Sequence, residues 1–318
     1  MGNLQRRSEV LFLYDCSYTN PNGDPVDENK PRMDEETGIN LVTDVRIKRT
    51  IRDYLHDVME EEIFVREIAN EEGKIQDGKA RAEDFLMNER GEKLTKAEQK
   101  NIDKRNYIRQ AVISQCIDVR LFGATIPLEG DSITLTGPVQ FKMGRSLHRV
   151  KLEYLKGTGA FASGSDQTRK TFREEYVLPY SLIGTYAVIN ENAAKQTGLT
   201  EEDVEKMLEA LWRGTKDLHS RSKVGQMPRL LVQVEYSLPN YHLGELDKEI
   251  VLATDKLEEE LRDVSDYKLD FSRWLDRVGA QKEKIHQVRL ALDGRLQLAQ
   301  DLSSSFSNMG IPVRTWEW

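Results

Sequence analysis

Hydrophobic and polar positions change their rhythm several times along this chain, and each change predicts an element. Ser8 to Cys16 is a nearly continuous apolar run centred on Leu11-Phe12-Leu13-Tyr14, rich in β-favouring side chains, and reads as a buried strand. Turn formers replace it at once: Thr19-Asn20-Pro21-Asn22-Gly23-Asp24-Pro25, continuing through Lys30-Pro31-Arg32 to Thr37-Gly38. A loop of this length is no tight connection, and such loops are usually functional or disordered. The period then becomes helical. Thr43 is a good N-cap, and Ile47, Ile51, Tyr54, Leu55 and Val58 share one helical face. Arg46, Arg49 and Asp53 lie off that face, with Lys48 and Arg52 flanking it.

Residues 59–110 are charged and poor in β-branched side chains, which predicts inserted helices, the clearest from Lys93 to Gln110. Strands are expected at Ile117 to Phe122 and Ser132 to Phe141, with Gly137-Pro138 marking a bulge or edge. Residues 143–175 are basic, then glycine-rich and weakly periodic, as in a protruding hairpin. Strand character returns from Glu175 to Asn190. Thr200-Glu201-Glu202-Asp203 opens a helix through about Leu218, and Leu230 to Tyr236 alternates as a strand. From about residue 245 the chain is acidic and is expected to be mostly helical. With the insertions set aside the order is strand, helix, strand, strand, helix, strand: the split-βαβ, ferredoxin-like order of an α+β fold, shared by RNA-recognition modules.

At 318 residues, with 38% hydrophobic and 31% charged positions and a mean hydropathy of −0.60, the chain reads as globular with a wet surface. No apolar stretch approaches the ~18 residues of a membrane span. The first residues lack the apolar run of an export signal, and Cys16 and Cys116 read as small buried hydrophobes, so the expected setting is the reducing cytoplasm. The net charge of −8 argues against nucleic acid until its distribution is considered. Lys142 to Lys156 holds five bases against Glu153, and Arg213 to Arg229 five against Asp217, whereas Glu245 to Asp266 holds nine acids against three bases. Segregation of sign lets an acidic protein present a basic groove.

Few enzymatic motifs survive inspection. Gly157-Thr158-Gly159-Ala160-Phe161-Ala162 has dinucleotide-fingerprint spacing, but Ser163-Gly164-Ser165-Asp166 follows where a packed helix should begin. There is no Walker A sequence, H-E-x-x-H, C-x-x-C or nucleophile elbow, and no cofactor is expected. The five histidines lack ligand spacing; His148 and His219 sit in basic runs, which suggests surface or phosphate-proximal imidazoles rather than zinc ligands. Asp15, Asp24, Asp27 and Asp34 near the first loop admit two roles, a divalent-metal or 2′-hydroxyl-activating site and the capping of turns, the latter being the commoner use. The basic constellation is the stronger signal: Arg46, Lys48, Arg49 and Arg52, then the run from Lys142, then Arg221, Lys223 and Arg229, beside predicted sheet edges. Such residues on one groove would track a phosphate backbone without reading sequence.

The strand Ser8 to Cys16, the Asn20-Pro21-Asn22-Gly23-Asp24-Pro25 loop, Lys30-Pro31-Arg32 and Thr43 to Arg52 resemble the opening of the CRISPR Cascade backbone subunits. This is the family numbered seven among the Cas proteins, and its type I-B branch is the most similar. Asp118 to Ala124, Gly137 to Phe141, Tyr176 to Tyr180 and the strand near Arg229 extend the resemblance over roughly residues 8–240. The resemblance implies a ferredoxin-like palm (1–58, 111–142 and 176–240), helical fingers (59–110), a β-hairpin thumb (143–175) and an acidic, mainly helical C-terminal region (241–318). It implies a non-enzymatic subunit that binds crRNA, meets target DNA through the guide, and stacks head to tail on other copies of itself beside other Cascade subunits. By position, Lys30 and Arg32 match the family's basic loop and Lys48, Arg49 and Arg52 its first helix. Arg145, Arg149, Arg169 and Lys170 are the thumb candidates for phosphate contact. Two alternatives stay open: a metal-dependent ribonuclease of the type III-like kind using Asp24 or Asp27, and a structural protein acting through its acidic C-terminal region.

Overall fold

A computed structural model describes residues 2–69, 73–88, 90–158 and 172–318. Nine strands and four helices frame the candidate site. They are β1 (Ser8–Cys16), β2 (Ile39–Val42), α1 (Asp44–Asp57), α2 (Lys104–Gln115), α3 (Ile117–Phe122), β3 (Gly144–Arg149), β4 (Glu153–Thr158), β5 (Phe172–Val177), β6 (Ser181–Ile189), α4 (Glu201–Lys216), β7 (Met227–Tyr236), β8 (Ile285–Leu292) and β9 (Val313–Thr315). The main sheet runs β9-β8-β7-β1-β6-β3-β2, with Met33–Asp34 on its far edge and Val139–Phe141 also paired to β6. Only β8 and β9 are parallel among these pairs.

β1 is central and buried on both faces, which explains its continuous apolar run. Val10, Phe12, Tyr14 and Cys16 face α1 and α4, meeting Ile51, Leu55, Leu208 and Leu211. Leu11 and Leu13 face the other way, into a core with Val232, Phe271, Trp274 and Phe306. The C-terminal third therefore covers the sheet face opposite the helices. A third, smaller core, containing Phe64, Phe85, Ile108, Val112 and Ile133, holds the insertion between α1 and β3 together. The β1–β7 register shifts between Leu13 and Tyr14, a bulge that turns the end of β1 toward the first loop. Cys16 and Cys116 are both buried free thiols.

Several expectations are corrected. Ile117 to Phe122 is a helix: Cys116 is extended, Asp118 accepts Phe64 N–H and Val65 N–H, and Gly123 at φ +70° ends the turn. The alternation of Ile117, Val119 and Leu121 with Asp118 and Arg120 fits a strand by periodicity, and here the contacts of Asp118 and the turn at Gly123 go with a helix. Ser132 to Phe141 divides into Asp131–Thr136 and Val139–Phe141 at Gly137, where any Cβ would lie 2.0 Å from the backbone of Phe122. Lys93 to Gln110 is interrupted, because Thr95 and Asp103 each cap a separate helix. Glu175 to Asn190 divides at Pro179 into β5 and β6. Of residues 143–175, β3 belongs to the main sheet, and only β4 with β5 forms a separate hairpin. The acidic C-terminal region is not mainly helical. It supplies β8 and β9 to the main sheet and a small sheet, Val251–Ala253 with Lys268–Asp270; its α-helices are Ser272–Gly279 and Leu302–Asn308. Its acids close short turns instead, as where Asp263 and Asp266 cap one another's backbone.

Candidate nucleic-acid interface

The first loop is a built structure. Gly23–Asp24 pairs with Lys30–Pro31, and a Cβ on Gly23 would lie 2.9 Å from the backbone oxygen of Asn29. Asn22 joins the loop to α1: its Oδ1 accepts Thr43 N–H at 2.8 Å and Thr43 Oγ1–H at 2.9 Å, while Thr43 itself caps Arg46 N–H. Asn20 joins the loop to residues 220–226, its N–H donating to Ser222 O and its carbonyl accepting from Lys223 Nζ. Asp24 serves the turn, accepting Val26 N–H at 3.1 Å and Arg32 Nη1 at 2.7 Å, and Asp27 accepts Lys30 Nζ at 2.7 Å. Among the described residues no three His, Cys, Asp or Glu side chains converge as metal ligands.

Arg46 and Lys223 meet where α1, the end of β1 and this loop converge. Neither has a carboxylate within ion-pair distance among the described residues. Burial pushes the Lys223 ammonium down to about 8, and the nearby Arg46 guanidinium adds to the shift. Burial also lowers Arg46. Around Arg46 lie Tyr14, Thr50, Leu211 and Gln226, whose Nε2 is buried without an acceptor. On the loop's other flank a cleft of about 460 Å³ is lined by Lys30 and Arg32, by the carboxylates of Asp24, Asp27 and Glu35, and by Met143, and Arg32 Nε also lacks an acceptor. Met143, half exposed, separates this cleft from a second of about 560 Å³ lined by Lys142, Arg145 and Lys248. Partly buried cations with orphaned donors are costly unless an anion completes them. The arrangement therefore suits a chain of phosphates.

The other expected cations divide. Lys142 pairs with Asp247 at 2.9 Å, Arg221 with Glu175 at 2.5 Å, and Arg149 approaches Glu258 and Glu259 at 3.5 and 3.4 Å, while Arg145 is exposed on the same side. Lys48 bonds Asp44 at 2.9 Å and Arg49 bonds Asp53 at 2.6 Å, each one helical turn away. Arg52 turns from the groove to the fully buried Asp118 at 2.9 Å, over the Phe122 ring. Arg229 is corrected outright. It is 4% exposed, clamped between Asp15 at 2.8 Å and Asp293 at 2.5 Å, and has no route to a phosphate. His148 is not a surface imidazole either: its Nδ1 meets Arg149 O, its Nε2 accepts Leu182 N–H, and burial lowers its pKa. Arg169, Lys170 and most of Gly157 to Ala162 lie outside the described residues.

The sequence reading missed Gln226 and the half-buried Met143, and it treated Asn20 and Asn22 only as turn formers. The recurrent Asn beside Pro and Gly was the available signal, since amide side chains bridge loop backbones from such positions.

The family described as CRISPR-associated protein Cas7 matches residues 6–272. A "CRISPR-associated protein Cas7" of Haloferax volcanii is 32% identical over 312 residues, covering 92% of this chain and 88% of that protein. The fold is similar to a chain of a solved "CRISPR RNA-guided surveillance complex, pre-nicking", with a TM-score of 0.55 at 13% identity over 96% of this chain and 99% of that one. It also resembles a chain of a "CRISPR RNA-guided surveillance complex", with a TM-score of 0.50 at 13% identity over 95% and 98%.

Proposed function

This chain belongs to the CRISPR-associated Cas7 family, and on that premise we propose that it is the crRNA-binding backbone subunit of a type I Cascade surveillance complex, of the type I-B branch. It polymerises along the guide, touches other copies of itself and other Cascade subunits, and presents the RNA for pairing with target DNA. It performs no catalysis of its own. The strands β7-β1-β6-β3, mutually antiparallel and connected through α1 and α4, support the ferredoxin-like palm. The β4–β5 hairpin supports a thumb, and the α2-bearing insertion supports the fingers. No helix of the described residues is long and apolar enough to cross a membrane, which fits a cytoplasmic complex.

One observation carries the reading: Arg46 and Lys223, partly buried, lacking a carboxylate partner, and beside a loop that pins them. The RNA backbone passes over this pair and along the Lys30–Arg32 cleft toward Arg145. The loop's aspartates are already engaged by Arg32, Lys30 and backbone N–H groups, which speaks for the turn role and against the ribonuclease alternative.

The test is equilibrium binding of single-stranded RNA by the Arg46→Glu, Lys223→Glu double variant. We expect affinity to fall at least about 100-fold, uniformly across RNA sequences, because two charge-assisted contacts are reversed. The Arg49→Glu variant, whose parent arginine is already paired with Asp53, should lose far less. Unchanged binding by the double variant would overturn the site.

A further inference from the structure

Two runs of opposite charge, Lys142 to Lys156 and Glu245 to Asp266, are distant in sequence and meet in the fold. Arg145, Leu147 and Arg149 alternate along one face of β3, and Leu147 packs on the same core as Ile250 and Leu252 of the C-terminal region. Acids of that region reach the cations at both ends of this strip. Asp247 meets Lys142 Nζ at 2.9 Å. Glu258 and Glu259 face the Arg149 guanidinium at 3.5 and 3.4 Å, and Glu258 also accepts the Arg149 N–H at 2.7 Å. Between them Arg145 is exposed and has no ion-pair partner among the described residues.

Buried anchors, not the pairs themselves, hold these acids in place. Glu9, buried in β1, accepts Leu243 N–H and Gly244 N–H at 2.8 Å each, together with the Tyr186 and Tyr236 hydroxyls. Arg277 then ties Leu243 O at 2.8 Å to Glu249 at 3.0 Å, just beyond Asp247. On the other side, the buried Leu261 and Val264 directly follow Glu258–Glu260. Other acids of the run are spent within their own region, Asp263 on Arg295 and Asp266 on Lys256. Lys142 is 46% and Arg149 55% exposed, and pairs this open to water add little stability. Their larger effect is on the surface potential. A carboxylate offers a cation the same paired oxygens as a phosphate, and it cancels the field that would draw a polyanion.

We propose that Asp247, Glu258 and Glu259 form an autoinhibitory guard, a built-in stand-in for phosphate that neutralises Lys142 and Arg149 in the free chain and gives way when an RNA backbone runs onto the strip. The proposal rests on the RNA-binding reading above and regulates the far end of that path, around Arg145. RNA already seated on Arg46, Lys223 and Arg145 displaces these exposed pairs at little cost. A stray polyanion touching the strip alone meets cations that are already neutralised. Each displaced acid takes up a counterion of its own, so a guarded cation adds nothing to the salt dependence of binding.

The experiment titrates single-stranded RNA of mixed sequence by fluorescence anisotropy, from low to moderate salt, against the full chain and its Asp247→Asn, Glu258→Gln, Glu259→Gln triple variant. The amides keep shape and acceptor oxygens and lose only charge. Affinity at low salt should rise about 2- to 30-fold, as for two exposed contacts of ordinary strength, and the salt slope should steepen by about 1.4. Adding Lys142→Gln and Arg149→Gln to the triple variant should remove both changes. A gain that persists without those two cations would be an effect of net charge and would overturn the guard, as would equal affinity and slope in wild type and triple variant. The melting midpoint should stay close to that of the wild type; a large drop with no gain in affinity would make the acids docking contacts only and sink the proposal. Asp247→Asn alone, which leaves Glu258 on Arg149, should keep about 0.7 of the slope change. If neither wild type nor triple variant binds RNA, the RNA-binding reading itself fails, an outcome distinct from equal binding by the two.

Discussion

Lys223 holds its charge where burial and Arg46 both oppose it, so its proton should be coupled to ligand. At pH 7 the ammonium is largely formed and a phosphate stabilises it further. Above pH 8 the free protein has lost that proton, and RNA binding must take one up. Affinity should therefore fall about 3- to 10-fold between pH 7 and 9, the size expected for one required proton, while Lys223→Arg stays flat. Fluorescence anisotropy at the two pH values checks this, and equal slopes for both proteins would exclude Lys223 as a contact. Arg229 makes the opposite case. Arg229→Met leaves Asp15 buried without its cation, beside Tyr180 and Tyr267, and should cost about 3–5 kcal/mol in urea unfolding. RNA affinity of the fraction still folded should be unchanged. Both residues were visible as bases in basic runs. Their different fates were not, because the partners that neutralise Arg229 lie 214 and 64 positions away, whereas Lys223 pairs with no acid among the described residues.

The unit β1–loop–α1 was legible because its signals are local: a continuous apolar run, a cluster of turn formers, then a capped helical stripe. Its function depends on how those parts are joined, and Asn22 is the joint. Asn22→Ala removes two hydrogen bonds to Thr43 and leaves a helix cap that holds only itself. Stability should fall by about 1–2 kcal/mol, read from the urea midpoint. Because the loop carries Lys30 and Arg32 to the cleft, RNA affinity should fall as well, by more than in Thr43→Ser, which keeps both the cap and the joint. Elements set by distant partners were less legible. Ile117 to Phe122 is helical because Asp118 is claimed by Phe64, Val65 and Arg52. β8 is a sheet strand because β7 offers it a free edge, which no local pattern in an acidic region announces.

At the scale of the whole molecule, the sheet face that RNA-recognition modules leave open is closed here by residues 246–311. Nucleic acid must then be met at the end of β1, by the loop, the flank of α1 and the base of the hairpin. That relocation explains why the aromatics of the central strands, Phe12, Tyr14, Tyr186 and Tyr236, are all buried and why the exposed tyrosines, Tyr18 and Tyr154, stand on the loop and the hairpin. It also explains how a chain of net charge −8 can hold a polyanion. Part of the acid, including Glu258 to Glu260, belongs to the covering region, and many of the remaining carboxylates are spent in ion pairs such as Arg52–Asp118 and Arg229–Asp15. If Arg46, Lys223, Lys30, Arg32 and Arg145 each neutralise one phosphate, the logarithm of affinity should fall with the logarithm of salt at a slope of about −3.5, that is, about −0.7 for each single-strand contact. Titration from low to moderate salt measures it. A slope near zero would mean that overall acidity governs the surface. A slope about 1.4 shallower in the Arg46→Gln, Lys223→Gln variant would place two of the five contacts on the pair beneath the loop.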